Sequence, residues 1–203
     1  MDYQVFRLIN AEAGRWALLD DLMRFSAVDL LYLVFALAGA IVVSALIRHR
    51  IPAVVRLGAT LALAFGLAQL LAHAGRERRP FQDHPVHQLI PHAPGVGIPS
   101  DHATAAFAIA FGVLMFLGRP AGLALTGLAV LIGFARVWTG VHYPSDILAA
   151  AVAAAIATFS VYVAGIGPRT AAALDSPYPE AAAWGAPSAP ARGSSQSGLR
   201  RLG

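Results

Sequence analysis

Two stretches of the 203-residue chain hold most of the side chains that could do chemistry, residues 73–102 and 136–146. In the second stretch five residues separate Arg136 from His142, and three more separate that histidine from Asp146. An unpaired arginine is costly at the end of an apolar run, whereas its planar guanidinium pairs well with phosphate oxygens. The pattern therefore indicates a site for an anion.

Two short segments just before apolar runs have the features of helix N-termini. Both segments, 99–102 and 143–146, combine a proline with a serine and an aspartate. The free N–H groups and the positive dipole end of a helix N-terminus bind phosphate. Arg79 precedes Pro80, which favours an extended backbone from which the arginine side chain can project. These features also predict an anion site.

Each of these residues has a plain structural interpretation as well. Arg136 can anchor a helix end at the lipid headgroups, and Asp146 can simply cap the helix that follows it. The loop histidines His84, His87 and His92 could suggest a metal site, but no cysteine or matching carboxylate set accompanies them. We expect no metal and no other cofactor.

The composition excludes most soluble proteins. The hydrophobic fraction is 57% and only 13% of the residues are charged, whereas a soluble domain has about 25% charged residues. The chain has no cysteine and no lysine, which excludes disulfides, zinc–thiolate sites, Schiff-base catalysis and a P-loop. Its arginines form short clusters between apolar runs, not the continuous stripe of a nucleic-acid-binding protein. The composition predicts an integral membrane protein.

Five apolar runs are candidates for membrane-spanning helices, which need about 20 residues each. They cover residues 30–47, 57–72, 103–118, 121–135 and 147–167. We accept the short third and fourth runs because tight polar joints bound them. The fold class is therefore all-α, a polytopic bundle of about five transmembrane helices.

The two ends of the chain differ from this apolar centre. The first thirty residues alternate apolar and charged side chains, which predicts an amphipathic helix lying in the membrane interface. Residues 168–203 are rich in Pro, Ala, Gly and Ser, a composition that cannot bury a core. We expect a membrane domain over residues 1–167 and a disordered cytoplasmic tail over 168–203.

Arginines near the span ends predict the orientation, because cytoplasmic loops carry an excess of them. Arg48, Arg50 and Arg56 lie at the first joint, Arg119 lies at the third, and Arg169 begins the tail. These positions share one side of an alternating five-span bundle, so that side is expected to be cytoplasmic. Both chemistry-bearing stretches then lie together on the outer face.

The chemistry-bearing residues of 73–102 and 136–146 resemble the three signature motifs of the type 2 phosphatidic acid phosphatase superfamily. The motifs are Arg79-Pro80, then Pro-Ser-Asp-His over residues 99–102, then the arginine, histidine and aspartate of 136–146. The Asp form of the second motif and the stretch 84–92 resemble the undecaprenyl-diphosphatase-like subgroup. The chain departs from the pattern at Ala72, where the family has a lysine, and at Ala135, where it has a serine.

The resemblance implies a role for each motif residue. His142 would be the nucleophile that forms a phosphohistidine, Asp146 would hold its tautomer, and His102 would protonate the leaving group and then activate water. The residues implied to bind the substrate phosphate are Arg79, Arg136, Ser100, Asp101 and Arg76. The last of these is one of three candidates, with His73 and Arg78, for the charge of the missing lysine.

The implied function is hydrolysis of a polyprenyl diphosphate, of the undecaprenyl type, on the outer face of the inner (plasma) membrane. The reaction would recycle a lipid carrier of cell-wall synthesis, with the lipid diphosphate and membrane lipids as partners and no nucleic acid. Two alternatives stay open. One is a sister phosphatase acting on phosphatidic acid or phosphatidylglycerophosphate, and the other is a small transporter or metal-handling membrane protein.

Overall fold

The computed structural model describes residues 2–75 and 77–165, and the regular structure in these ranges is helical. The helices are α1 (Asp2–Asn10), α2 (Ala17–Val28), α3 (Leu30–Ile47), α4 (Ile51–Ala74), α5 (Pro80–Asp83), α6 (Asp101–Gly112), α7 (Arg119–Trp138) and α8 (Pro144–Ala164). Helix α6 continues as a π-helical turn over Val113–Leu117.

Five of these helical segments form the membrane bundle. Helices α3, α4, α7 and α8 are long and apolar enough to cross a membrane, and α6 with its π-turn is a shorter apolar segment. The first span has the predicted bounds, whereas α4, α7 and α8 begin two to six residues earlier than the apolar runs. Each of these three helices has a proline in its first two positions, where the missing N–H costs no hydrogen bond. The protein is a multi-pass membrane protein.

Helix α6 is the centre of the bundle. It packs against α4, α7 and α8, and every residue from Ala103 to Ala110 is buried. Five of these eight residues are alanines, so the surrounding helices approach the α6 backbone closely. A helix that is apolar all round is expected in such a buried position.

The two ends of the bundle carry different joints between helices. At one end the Arg50 guanidinium donates hydrogen bonds to the carbonyls of Phe116 and Leu117, at 2.9 and 2.8 Å. The α3–α4 joint and the α6–α7 joint therefore lie together, as the alternating topology predicts. The joints that carry the signature motifs meet at the opposite end of the bundle.

The N-terminal region forms two helices instead of one continuous amphipathic helix. Helices α1 and α2 are separated by a turn that contains Gly14 at φ +85°. Both helices pack on α7, and Met23 and Ala27 of α2 share a second hydrophobic core with Trp138 and Val141. The N-terminal region thus covers the end of the bundle that carries the motifs. The predicted tail, residues 168–203, lies outside the described residues.

Candidate active site

The histidine–aspartate pair of the third motif lies at the start of α8. The Nδ1 atom of His142 is 3.0 Å from Oδ2 of Asp146, which also accepts a hydrogen bond from the backbone N–H of Tyr143 at 2.9 Å. The aspartate is the third residue of α8, so its side chain reaches back to the loop before the helix. The pair is almost completely buried, with 2% of His142 and none of Asp146 exposed.

Arg79 contacts the other side of the same imidazole. Its Nη1 atom lies 2.9 Å from Nε2 of His142 and 3.4 Å from the carbonyl oxygen of Val141. A guanidinium can only donate hydrogen bonds, so Nε2 of His142 is the acceptor and the ring proton is on Nδ1, facing Asp146. The lone pair of Nε2 is therefore on the side of the ring that faces the arginine.

The electrostatics of the site favour a neutral imidazole. Burial, followed by the charges of Arg136 and Arg79, lowers the pKa of His142 well below its usual range. Burial also lowers the pKa of the Arg79 guanidinium, against the opposing effect of Asp146 and Asp101. An arginine starts from a pKa so high that it stays protonated, whereas the histidine loses its proton.

The backbone around the first motif holds Arg79 in place. The backbone N–H of Arg79 donates to the side-chain oxygen of Gln82, which also accepts from the backbone N–H of Gly95. Gly97 lies against the pair from the other side. A Cβ at residue 97 would be 3.0 Å from Oδ2 of Asp146 and 3.6 Å from Cγ of Arg79, so a side chain there would require the Asp146 carboxylate to shift by a few tenths of an ångström.

Arg136 enters the site from the last turn of α7. It is 2% exposed, and its Nη1 donates to the carbonyl oxygen of Ala27 at the end of α2, at 3.2 Å. Within the described residues four buried polar atoms of the site have no hydrogen-bond partner: Nε of Arg79, Nε of Arg136, Oγ of Ser100 and Oδ1 of Asp146. An unpaired buried donor costs about 1–3 kcal/mol. Oxygens of a bound phosphate would accept from the three that can donate.

The second motif forms the start of α6. Ser100 is the residue before the helix and is fully buried, and its N–H donates to the carbonyl oxygen of Asp146 at 3.4 Å. Asp101 and His102 occupy the first turn, the aspartate exposed and the histidine half-buried. The positive end of the α6 dipole thus faces the same space as the arginines. The predicted helix N-terminus is present, since α6 begins at Asp101, and its binding of an anion stays a prediction.

Arg76 lies outside the described residues. The other two candidates to replace the charge of the missing lysine are Arg78 and His73. Arg78 pairs with Asp83 at 3.0 Å on the exposed side of the loop. His73 is exposed on α4, with its Nδ1 2.7 Å from the carbonyl oxygen of Gln69. Neither side chain is bonded to the His142–Asp146 pair.

The three loop histidines do not converge on one point. His84 stacks on Tyr3 with ring centroids 3.8 Å apart, and His92 stands edge-on to His142 at 6.0 Å. His87 is bonded through its backbone to Asn10. Among the described residues no group of three or more His, Cys, Asp or Glu side chains could hold a metal ion.

Contacts from the N-terminal helices are the part of the site that the sequence does not reveal. The Asn10 amide donates to the carbonyl oxygens of His87 and Trp138, at 2.9 and 2.8 Å, and accepts from the His87 N–H at 2.9 Å. Asp20 accepts from the Trp138 indole at 2.9 Å, and Asp2 bonds both the N–H and the hydroxyl of Ser145. A lone buried asparagine has no signature in a sequence, so no sequence pattern indicates these contacts.

The fold and the site together define a membrane phosphatase. The sequence profile of the PAP2 superfamily matches residues 53–166, more than half of the chain, and the chain belongs to this superfamily. This match covers all three signature motifs. It also covers the bundle helices α6, α7 and α8, and α4 from residue 53 onward.

Known relatives agree with this assignment. Undecaprenyl-diphosphatase BcrC of Bacillus subtilis (strain 168) is 36% identical over 168 residues, which cover 78% of this chain and 81% of BcrC. YbjG of Escherichia coli (strain K12), whose name gives the same activity as a provisional assignment, is 30% identical over 163 residues, or 80% and 82% of the two chains. The crystal structure of Aquifex aeolicus LpxE matches with a TM-score of 0.66 at 26% identity, covering 79% of this chain and 94% of that one.

Proposed function

We propose that this phosphatase hydrolyses a polyprenyl diphosphate, of the undecaprenyl type, to the monophosphate and inorganic phosphate. The observation that carries the proposal is the hydrogen-bonded series Arg79–His142–Asp146, which keeps an unprotonated imidazole nitrogen beside buried arginine donors. The choice of a polyprenyl diphosphate among phosphorylated lipids is supported by the names of the BcrC and YbjG relatives.

The first step is transfer of the terminal phosphoryl group to His142. The incoming phosphate draws the Arg79 guanidinium from Nε2 onto its own oxygens, which exposes the nitrogen lone pair to phosphorus. A bond forms between Nε2 and phosphorus while the bond from phosphorus to the bridging oxygen breaks. Asp146 stabilises the positive charge that develops on the ring, and Arg79, Arg136 and the α6 N-terminus hold the three phosphoryl oxygens.

Proton transfer in both steps is assigned to His102. In the first step it gives a proton to the bridging oxygen, which leaves as the lipid monophosphate. In the second step it takes a proton from water, whose oxygen attacks phosphorus while the nitrogen–phosphorus bond of His142 breaks. Inorganic phosphate leaves and both histidines return to their starting states. No step needs a metal ion.

The cellular setting is part of the same proposal. The arginines of the α3–α4 joint favour a cytoplasmic position for that end of the bundle, and the active site would then lie on the extracytoplasmic face of the inner (plasma) membrane. The phosphatase would there recycle a polyprenyl lipid carrier for cell-wall synthesis. Residues 168–203 would form a cytoplasmic tail outside the membrane domain of 1–167.

Phosphate release by the purified protein in detergent tests the substrate. We expect undecaprenyl diphosphate to be hydrolysed with a kcat/KM at least tenfold above that of phosphatidic acid or phosphatidylglycerophosphate. A preference for either glycerolipid would replace the proposed substrate with that lipid. The His142→Ala variant is the blank, because contaminating phosphatases would survive this change and the protein's own activity would not.

A further inference from the structure

His92 is a third histidine at the site that none of the steps above employs. It lies ten residues before His102, in the loop between α5 and α6. Its ring stands edge-on to that of His142, with centroids 6.0 Å apart and planes at 81°. The charges of Arg79, Arg136 and Asp101 also act on it. His92 therefore borders the space in which the reacting phosphate must sit.

The loop that carries His92 is firmly attached to the third motif. The N–H of Leu89 donates to the carbonyl oxygen of Thr139 at 3.1 Å, just after the end of α7. Ile90 is buried in the second hydrophobic core with Trp138 and Val141. These anchors lie two and three residues before His92, so its distance from His142 is a property of the folded loop.

One ring nitrogen of His92 remains available to a ligand. Its Nδ1 is 3.1 Å from the carbonyl oxygen of Ala93, and because a carbonyl can only accept, Nδ1 carries a proton. Within the described part of the chain no hydrogen bond is made by Nε2. This nitrogen of the half-buried His92 can share a proton with a phosphate oxygen, whichever of the two groups carries it.

A diphosphate needs more partners than a phosphate monoester. The three outer oxygens of its terminal phosphoryl group are served by Arg79, Arg136 and the N-terminus of α6. The second phosphate, which stays on the lipid, has two further oxygens that these groups do not serve. Building on the proposed function, we infer that His92 binds this retained phosphate and thereby selects diphosphates over monoesters.

A matched pair of substrates tests this inference with the full-length protein in detergent. Farnesyl diphosphate and farnesyl monophosphate share one chain and differ by one phosphate. For His92→Ala we expect kcat/KM for the diphosphate to fall at least tenfold, and that for the monophosphate to change less than twofold. His92→Gln keeps a side-chain amide that donates and accepts, and should recover activity on the diphosphate to within about threefold of the wild type.

His84→Ala is the matched control, because it removes a histidine of the same loop that stacks on Tyr3 instead of His142. It should leave the ratio between the two substrates unchanged. Equal losses on both substrates in His92→Ala would show that His92 only packs against His142, and would overturn the inference. Retention of the wild-type preference by His92→Ala would overturn it too.

The wild-type protein separates this inference from the proposed function. If the wild type hydrolyses the monophosphate with the same kcat/KM as the diphosphate, then the substrate proposal fails and the selective role of His92 fails with it. If the wild type prefers the diphosphate and His92→Ala keeps that preference, then only the role of His92 is wrong. Activity on the monophosphate reports that each variant is folded.

Discussion

In the proposed mechanism, the contact between Arg79 and His142 blocks the attacking nitrogen until a substrate arrives. The lone pair of Nε2 accepts a hydrogen bond from the guanidinium, so a phosphate must displace the arginine before attack is possible. The arginine then follows the negative charge and becomes a ligand of the substrate.

Substitution of His102 tests the division of labour between the two histidines. His102→Ala should slow turnover of a lipid diphosphate by roughly 10²- to 10⁴-fold, the usual contribution of a general acid. It should slow p-nitrophenyl phosphate much less, because that leaving group departs without a proton. His142→Ala should abolish both reactions and the phosphoenzyme. An equal loss on both substrates in His102→Ala, with a phosphoenzyme remaining in His142→Ala, would reverse the assignment.

The pH dependence of phosphoenzyme formation follows from the lowered pKa of His142. A histidine with an ordinary pKa is half protonated near pH 6.5, and the protonated ring has no lone pair at Nε2. With the pKa lowered, the ring stays neutral as the pH falls through that range. We expect the burst of p-nitrophenol, read after an alkaline quench, to keep its amplitude from pH 7.5 to 6.0. An amplitude that halves near pH 6.5 would contradict this expectation.

Elements outside the three motifs also help to hold the site together. Asn10 of α1 joins the loop at His87 to the end of α7 at Trp138, and Gly140 makes the turn between them possible. Gly140 has φ +82°, and a Cβ there would lie 2.8 Å from the His87 carbonyl oxygen and 3.3 Å from the Asn10 amide nitrogen. Helix α1 thus holds the loop at His87 against the third motif.

Removal of the Asn10 amide should destabilise the protein. Asn10→Ala loses three hydrogen bonds at about 1 kcal/mol each, which lowers the unfolding midpoint by roughly 5–10 °C for a chain of this size. Asn10→Asp should be at least as harmful, because a carboxylate cannot donate to the carbonyls of His87 and Trp138. Gln4→Ala is the control, since Gln4 is an exposed amide on the same helix. A midpoint for Asn10→Ala equal to that of Gln4→Ala would refute the role of this amide.

The membrane helices could be predicted because long apolar runs without charge are typical of membrane-spanning segments. The ends of α4 and α7 were not, because Arg56 and Arg119 interrupt or border the runs and yet belong to the helices. Arg56 lies over the Phe116 ring at 5.9 Å, a contact between distant segments that no local pattern indicates. The motif residues could be predicted from their spacing. The position of His92 could not, since its loop has no periodic structure.

The whole molecule has its two groups of loops at opposite ends of the bundle. A single cysteine can report on each end, because the native chain has none. In intact cells a membrane-impermeant maleimide should label Gln88→Cys, in the loop near the active site. Arg119→Cys, in the joint before α7, should react only after the cells are permeabilised. The opposite pattern would place the active site in the cytoplasm.

A truncation tests the extent of the membrane domain. Every site contact described above lies between residues 2 and 146, so deletion of the residues after Arg169 should leave kcat/KM within about twofold of the full-length value. Expression level and unfolding midpoint in detergent provide the comparison for folding. Loss of activity in a folded truncated protein would mean that the tail contributes to the reaction.

The short central helix has a consequence for the depth of the reaction. From Asp101 to Leu117 it spans 17 residues, or about 26 Å, which is less than the roughly 30 Å thickness of the hydrocarbon core. Its neighbours α4, α7 and α8 are longer, with 24, 20 and 21 residues. We expect the phosphate of a lipid substrate to move a few ångströms inward to reach the start of this short helix, so a thicker bilayer should make that displacement longer and turnover slower.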